Sequence, residues 1–169
     1  LQIYAPELGL VPTLLAGRVL HTLGTWGGDP IPTLQWIGVM LGAVLGHVFS
    51  PWLKFKGGKG VATSLGALLG VFPVLTIAAG VAFVAWAVVL KTVRYMSLAS
   101  MVAGLTLPLS CLVELRLAGR PLTDAGSWPL LGVCVLLACL VVFTHRANIR
   151  RLRNGTEPKF GQRVAATAP

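Results

Sequence analysis

Residues 54–63 read KFKGGKGVAT, three lysines and three glycines set between strongly apolar stretches. Gly57, Gly58 and Gly60 can adopt backbone conformations closed to other residues and let a ligand come close to their amides. Successive N–H groups of this kind form a concavity for an anion, and a helix starting just after them adds its positive N-terminal end. Lys59 brings a mobile point charge, with the hydroxyls of Thr63 and Ser64 near it in sequence. That is phosphate-binding chemistry. A Walker loop is excluded, because it needs G-x-x-x-x-G-K-[ST] after a strand and the chain has no parallel-sheet pattern. The plainer alternative is a flexible loop whose lysines only mark the cytoplasmic side of a membrane.

Two further segments carry polar groups in an otherwise greasy chain. In RYMSLAS, Arg94 and Ser97 could add a cation and a hydroxyl to the same anion site, or serve as a topogenic charge and a helix cap. In HRANIRR, His145 and Asn148 share a helix face at i, i+3 spacing. A histidine and an amide so placed can orient a hydroxyl or polarise a carbonyl; the alternative is interfacial anchoring beside the arginines. His47, in GHVFS near the end of an apolar helix, is either a supporting group or a packing histidine. The five acids, Glu7, Asp29, Glu114, Asp124 and Glu157, all fall outside these segments. The expected chemistry is therefore cationic and hydrogen-bond stabilisation of phosphates and oxyanions, with no carboxylate base, no metal and no cofactor. There is no G-x-S-x-G elbow and no Cys–His pair with an orienting acid.

The elements that must hold these groups are membrane helices. Over 169 residues the mean hydropathy is +0.79, and only 11% of residues are charged. A soluble domain carries about 25%. The net charge of +9 is clustered at span ends: Lys54, Lys56 and Lys59; Lys91 and Arg94; and Arg146, Arg150, Arg151, Arg153, Lys159 and Arg163. Without a nucleic-acid-binding motif, that pattern points to anionic headgroups and excludes nucleic acid. Cys111, Cys134 and Cys139 lie in apolar stretches without C-x-x-C spacing and read as small buried hydrophobes. No charged n-region precedes an apolar h-region, so a signal peptide is not expected.

Apolar stretches cover residues 8–23, 33–53, 61–90, 96–115 and 127–144. The third, without a single charge, would measure about 45 Å as one helix, against a hydrocarbon core of about 30 Å. Pro73 stands near its first third and breaks the helix ladder. A hairpin turning there returns Lys59 and Arg94 to one face, with 146–163 on that face and 116–124 on the other. Positive-inside bias favours the hairpin. All three polar segments then meet at the cytoplasmic surface.

GHVFSPWLKFKGGKGVATSLG, RYMSLAS and HRANIRRL, in this order, resemble the bacterial acyl-phosphate:glycerol-3-phosphate acyltransferases, the PlsY family, over about residues 34–155. The resemblance implies an all-α, polytopic integral membrane bundle of seven transmembrane helices, about five to six of them represented here. It implies residues 1–155 as an N-terminally incomplete acyltransferase domain. Residues 156–169, ending in GQRVAATAP, are read as a cytoplasmic tail and expected to be disordered, as untethered termini are. The implied partners are acyl phosphate, sn-glycerol 3-phosphate and membrane lipids, and the product is lysophosphatidic acid. The implied location is the bacterial inner membrane, with the site facing the cytoplasm. By the same resemblance Gly57, Gly58, Lys59 and Gly60 form the phosphate loop with Thr63, and Ser97 binds phosphate with Arg94 nearby. His145 and Asn148 orient substrate near the reacting carbonyl, and His47 supports the loop. The family also begins with a GSGNxGATN-type motif, which is not found: the asparagines are Asn148 and Asn154. The chain is expected to start within the helix after that motif. The competing expectation is a non-catalytic membrane protein, either a degenerate homologue or a small permease subunit.

Overall fold

The computed structural model describes residues 30–54, 57–71 and 74–162. The apolar stretch 8–23, Lys56, Pro73 and Arg163 lie outside them. The described residues form α-helices and one short 3-10 turn, with no strand among them. The helices are α1 (Pro30–Val48), α2 (Val61–Gly70), α3 (Val74–Val93), α4 (Met96–Leu117), α5 (Ser127–Thr144) and α6 (Arg146–Arg153). The expected all-α bundle is what forms.

Among the described residues, four segments are long and apolar enough to cross a bilayer: Leu34–Leu53, Leu75–Val93, Met96–Leu117 and Ser127–Thr144. Their outer faces are apolar, with Val39 71% and Leu109 63% exposed. Soluble proteins rarely present contiguous apolar surface of this kind, so lipid is the solvent these faces fit. α1 stops at Val48, short of the expected 53, because Pro51 restricts Ser50 and opens the 3-10 turn Pro51–Leu53.

The charge-free stretch 61–90 does fold as a hairpin, but an unequal one. α2 has 10 residues, about 15 Å and half a bilayer, whereas α3 has 20 and spans it. The break is tied across by Thr76 Oγ1 donating to Leu69 O at 3.2 Å and Leu75 N to Val71 O at 3.1 Å. α3 then packs along α4 through Ala78 and Ala79, both fully buried, with Ser110 Oγ 3.4 Å from Ala78 O. Small residues matter at this seam because lipid tails provide no hydrophobic drive between helices; close van der Waals approach does. The core continues through Met40 and Val44 of α1, Leu107 and Cys111 of α4, and Leu130 and Cys134 of α5.

Both ends of α4–α6 are reversed by glycine caps. After α4, Gly119 (φ 67) turns the chain, with Gly119 N bonded to Arg116 O and Arg120 N to Leu115 O. After α6, Gly155 (φ 67) does the same, with Gly155 N to Leu152 O and Thr156 N to Arg151 O. Each is a Schellman motif, and only glycine takes its left-handed position without penalty. The second one sends residues 156–162 back over the bundle. The segment expected to start a disordered tail at 156 is thus packed: Phe160 N donates to Arg94 O at 2.6 Å, and Arg94 Nη2 donates to Phe160 O at 3.1 Å.

Candidate functional site

A cavity of about 700 Å³ opens between α2, α3, α4 and α5 at the end where the basic clusters meet. Its polar end is lined by His47, Lys59, Gly60, Ser64, Ser97, His145, Asn148, Arg151 and Glu157, its other end by apolar side chains. Three separate sequence segments have therefore been brought to one place. Thr144 Oγ1 reaches the Lys59 carbonyl at 3.3 Å and helps join the first to the third.

The glycine loop is shaped by contact with the end of α1. A Cβ on Gly57 would collide with the carbonyl oxygens of His47 and Val48. On Gly58 it would collide with the His47 ring at Nε2. Gly60 (φ 76) is the N-cap of α2, where a Cβ would also stand 2.8 Å from Val48 Cγ2. Of the three glycines only Gly60 needs its positive φ; Gly57 and Gly58 are required by close packing on His47. Lys59 projects from this loop, and partial burial holds its ammonium below the ordinary lysine value, with Glu157 opposing and Arg151 adding to the shift.

Across the cavity the chain bends between α5 and α6 at His145, which is buried. Its Nδ1 lies 2.8 Å from Val141 O. A carbonyl only accepts, so Nδ1 carries the hydrogen and Nε2 of the neutral ring keeps its lone pair. Burial lowers the His145 pKa from 6.5, the bond to Val141 resists this, and Lys59 adds to it.

The reading that left the site without a carboxylate is corrected by Glu157. The Gly155 turn brings it back onto α6, where Ser97 Oγ donates to Oε1 at 2.6 Å and Asn148 Nδ2 to the same oxygen at 2.7 Å. Arg151 Nε donates to Oε2 at 2.7 Å. Burial alone would raise this carboxyl; the bonds from Asn148, Ser97 and Arg151 outweigh it and bring it down to about 2. So Glu157 is an ionised acceptor and a poor base. The one hydroxyl hydrogen of Ser97 is committed to it, while the Asn148 amide keeps a second N–H. Sequence reasoning missed Glu157 and Arg151. The available signal was the Asn154-Gly155 helix stop, which turns the chain back toward α6.

Gly57, Gly58, Thr63 and Arg94 do not line the cavity; Ser64, which is buried, does. Arg94, itself at φ 61, straps the 157–160 segment to the α3–α4 corner. Lys159 lies 5.8 Å over the Tyr95 ring and Arg146 4.6 Å over Phe143.

Residues 8–155 match the protein family described as glycerol-3-phosphate acyltransferase. The chain belongs to this family. A glycerol-3-phosphate acyltransferase of Geobacter sulfurreducens is 42% identical over 152 residues, covering 90% of this chain and 66% of that protein. One from Thermus thermophilus is 46% identical over 129 residues, 76% of this chain and 58% of its own length. Among solved structures, the glycerol 3-phosphate form of PlsY, an integral membrane glycerol 3-phosphate acyltransferase, superposes with TM-score 0.58 at 37% identity. It is covered over 54% of its length by 72% of this chain. Its lysophosphatidic acid form gives a TM-score of 0.55 at 38% identity. This chain thus spans about two thirds or less of these relatives. Like the PlsY neighbour it is a membrane protein, by its spans and by its family.

Proposed function

We propose that this protein transfers a fatty acyl group from acyl phosphate to sn-glycerol 3-phosphate, giving lysophosphatidic acid. The observation that carries the reading is a single cavity with a cationic, hydrogen-bonding end and an apolar end. Both substrates are phosphates, and one of them also carries a hydrocarbon chain. Kinship with a family whose PlsY structures hold glycerol 3-phosphate or lysophosphatidic acid supports it further.

In this reading the Gly57–Gly60 loop amides, the α2 N-terminus and Lys59 hold phosphate, with Ser64 as a hydroxyl donor. Ser97 joins them by turning its O–H from Glu157 to the ligand. His145 accepts the attacking hydroxyl at Nε2, and Asn148 donates its second N–H to the carbonyl oxygen of the acyl donor. The glycerol hydroxyl oxygen bonds to the carbonyl carbon, the carbonyl–phosphate C–O bond breaks, and the departing phosphate carries off the hydroxyl proton. The anhydride is already activated, so Glu157 need not act as a base. Its charge holds Asn148 and Arg151 in place instead. The basic clusters favour the cytoplasmic face of the bacterial inner membrane for this end of the bundle, by the positive-inside rule. Labelling of a cysteine at position 91 from the periplasmic side would contradict that orientation.

The test is formation of labelled lysophosphatidic acid from acyl phosphate and radiolabelled glycerol 3-phosphate by the intact protein in lipid. Lys59→Gln should lower kcat/KM on the order of a hundredfold, the usual cost of losing one charge-stabilising donor. No product from the wild type refutes the activity. Full activity of Lys59→Gln removes Lys59 from the site.

A further inference from the structure

The chain leaves α4 and α6 through left-handed glycines, Gly119 and Gly155, but it leaves α3 through Arg94 at φ 61. A side chain in this conformation carries strain that glycine avoids, and it persists only where its surroundings hold it. What holds Arg94 is the returning segment 157–162. The Arg94 carbonyl accepts from Phe160 N at 2.6 Å, and Arg94 Nη2 donates to Phe160 O at 3.1 Å. One residue thus satisfies both backbone groups of another, 66 positions away. Beside it Gly161 turns the chain at φ 82, and a Cβ there would stand 3.2 Å from Arg94 Nη2. The two segments run antiparallel in register: Arg94 against Phe160, Tyr95 against Lys159, Ser97 against Glu157. The first two pairs lie outside the cavity, and the third lies at its polar end. A cation at a helix C-terminus is favourable in itself, but that alone requires neither the strained backbone nor the contact with Phe160.

We propose that Arg94 is a positioning residue: it holds Phe160 so that Glu157 stands where it aims the Asn148 amide at the reacting carbonyl. This role rests on the acyl-transfer reading above. Phe160 follows Glu157 by three positions, so fixing the one leaves the other little freedom. Asn148 Nδ2 gives one N–H to Glu157 Oε1, which sets the plane of the amide and with it the direction of the second N–H. Misplacing such a group by about 1 Å costs about a hundredfold in rate. The second N–H meets the carbonyl oxygen most strongly as charge builds there, so the loss falls on kcat and spares KM.

The experiment measures kcat and KM for acyl phosphate and for glycerol 3-phosphate, with thermal melts, on the intact protein in nanodiscs. The variants are Arg94→Gly, Gly161→Val and the two together. Arg94→Gly keeps the left-handed turn and the bond from Phe160 N and removes only the guanidinium, so it should melt near the wild-type temperature. It should lower kcat about tenfold and leave both KM values within about twofold. Gly161→Val leaves Arg94 in place but cannot hold φ 82, and it should produce the same loss from the other side of the clamp. Because both break one contact, the double variant should fall within about twofold of the weaker single. A raised KM with unchanged kcat in Arg94→Gly would make Arg94 a phosphate ligand and overturn the proposal. Losses that multiply in the double variant overturn it too, as does wild-type kcat in either folded single variant. If one single variant fails to fold, the other carries the same comparison of kcat with KM. A wild type that makes no product removes the acyl-transfer reading and the positioning role with it. An active wild type with indifferent variants removes the positioning role alone.

Discussion

The glycine loop and the 145–160 segment face each other across one cavity and are built in opposite ways. Among the described residues, no loop side chain bonds back to the loop; Thr144 Oγ1 of α5 ties its Lys59 carbonyl from outside. Its course is fixed by glycines pressed onto His47 and Val48, which leaves Lys59 exposed toward the cavity. The opposite wall is cross-tied instead: Ser97, Asn148 and Arg151 all converge on buried Glu157. One side is held by the absence of side chains and the other by their mutual satisfaction. The lesson is that a mobile cation can face a precisely oriented amide only if the two are restrained by different means. Cross-tying Lys59 would remove its availability, and leaving Asn148 untied would cost its orientation.

The sharpest way to break the loop side is to add one carbon atom. Gly57→Ala puts a methyl group against the backbone carbonyls of His47 and Val48, which cannot move without unwinding the end of α1. Overpacking of this kind costs about 1–3 kcal/mol, and more where the obstacle is backbone. Gly58→Ala meets the His47 ring, which can rotate away. A double-mutant cycle separates the two cases. His47→Ala should restore most of the stability and activity lost in Gly58→Ala and none of that lost in Gly57→Ala. Rescue of neither would show that the glycines serve backbone freedom, not close approach to the His47 ring.

A smaller effect is expected from the cross-tied side. Glu157→Ala leaves the donors of Ser97 and Asn148 buried without an acceptor, at about 1–3 kcal/mol. The Arg151 pair adds little, since the arginine side chain is 45% exposed and such pairs are worth at most about 1 kcal/mol. Glu157→Gln keeps an acceptor for Ser97 and Asn148, so it should cost well under half as much as Glu157→Ala in thermal melts. If the two variants were equal, charge would outweigh hydrogen bonding. The pH dependence follows from the depressed carboxyl. Its stabilisation is fully present above about 4.5 and is lost as pH falls toward about 2. Glu157→Ala should therefore flatten the loss of stability over that window.

The membrane bundle and the hairpin were legible because both follow from one-dimensional quantities. A charge-free run longer than a bilayer, interrupted by Pro73, leaves few other solutions, and α5 begins and ends where its apolar run does. Lys59, Ser97, His145 and Asn148 were legible as polar groups in the wrong solvent. Glu157 was not, because its role depends on a chain reversal at Gly155 followed by contacts across sixty residues to Ser97. The packing of Gly57 and Gly58 was out of reach for a related reason. The pattern shows that a close approach is needed, but not that His47 and Val48 are groups that make it.

The smallest effect separates neighbours on the loop side itself. Thr63 and Ser64 open the same helix and carry the same kind of donor, and sequence gives no reason to choose between them. Ser64 is buried, lines the cavity and has its N–H bonded to Gly60 O at 2.8 Å, at the base of the loop. Thr63 does not line the cavity. Thr63→Val keeps the shape and removes the hydroxyl. At a position outside the site, such a change stays within about 0.5 kcal/mol, or roughly twofold in the KM for glycerol 3-phosphate. Ser64→Ala removes a donor facing the ligand, worth about 1 kcal/mol, and should raise the same KM about fivefold. Neither substitution disturbs the contacts of Gly57 and Gly58, so a difference between them measures the open face of the loop alone. A larger effect from Thr63→Val would mean that α2 turns its other side to the phosphate when substrate binds.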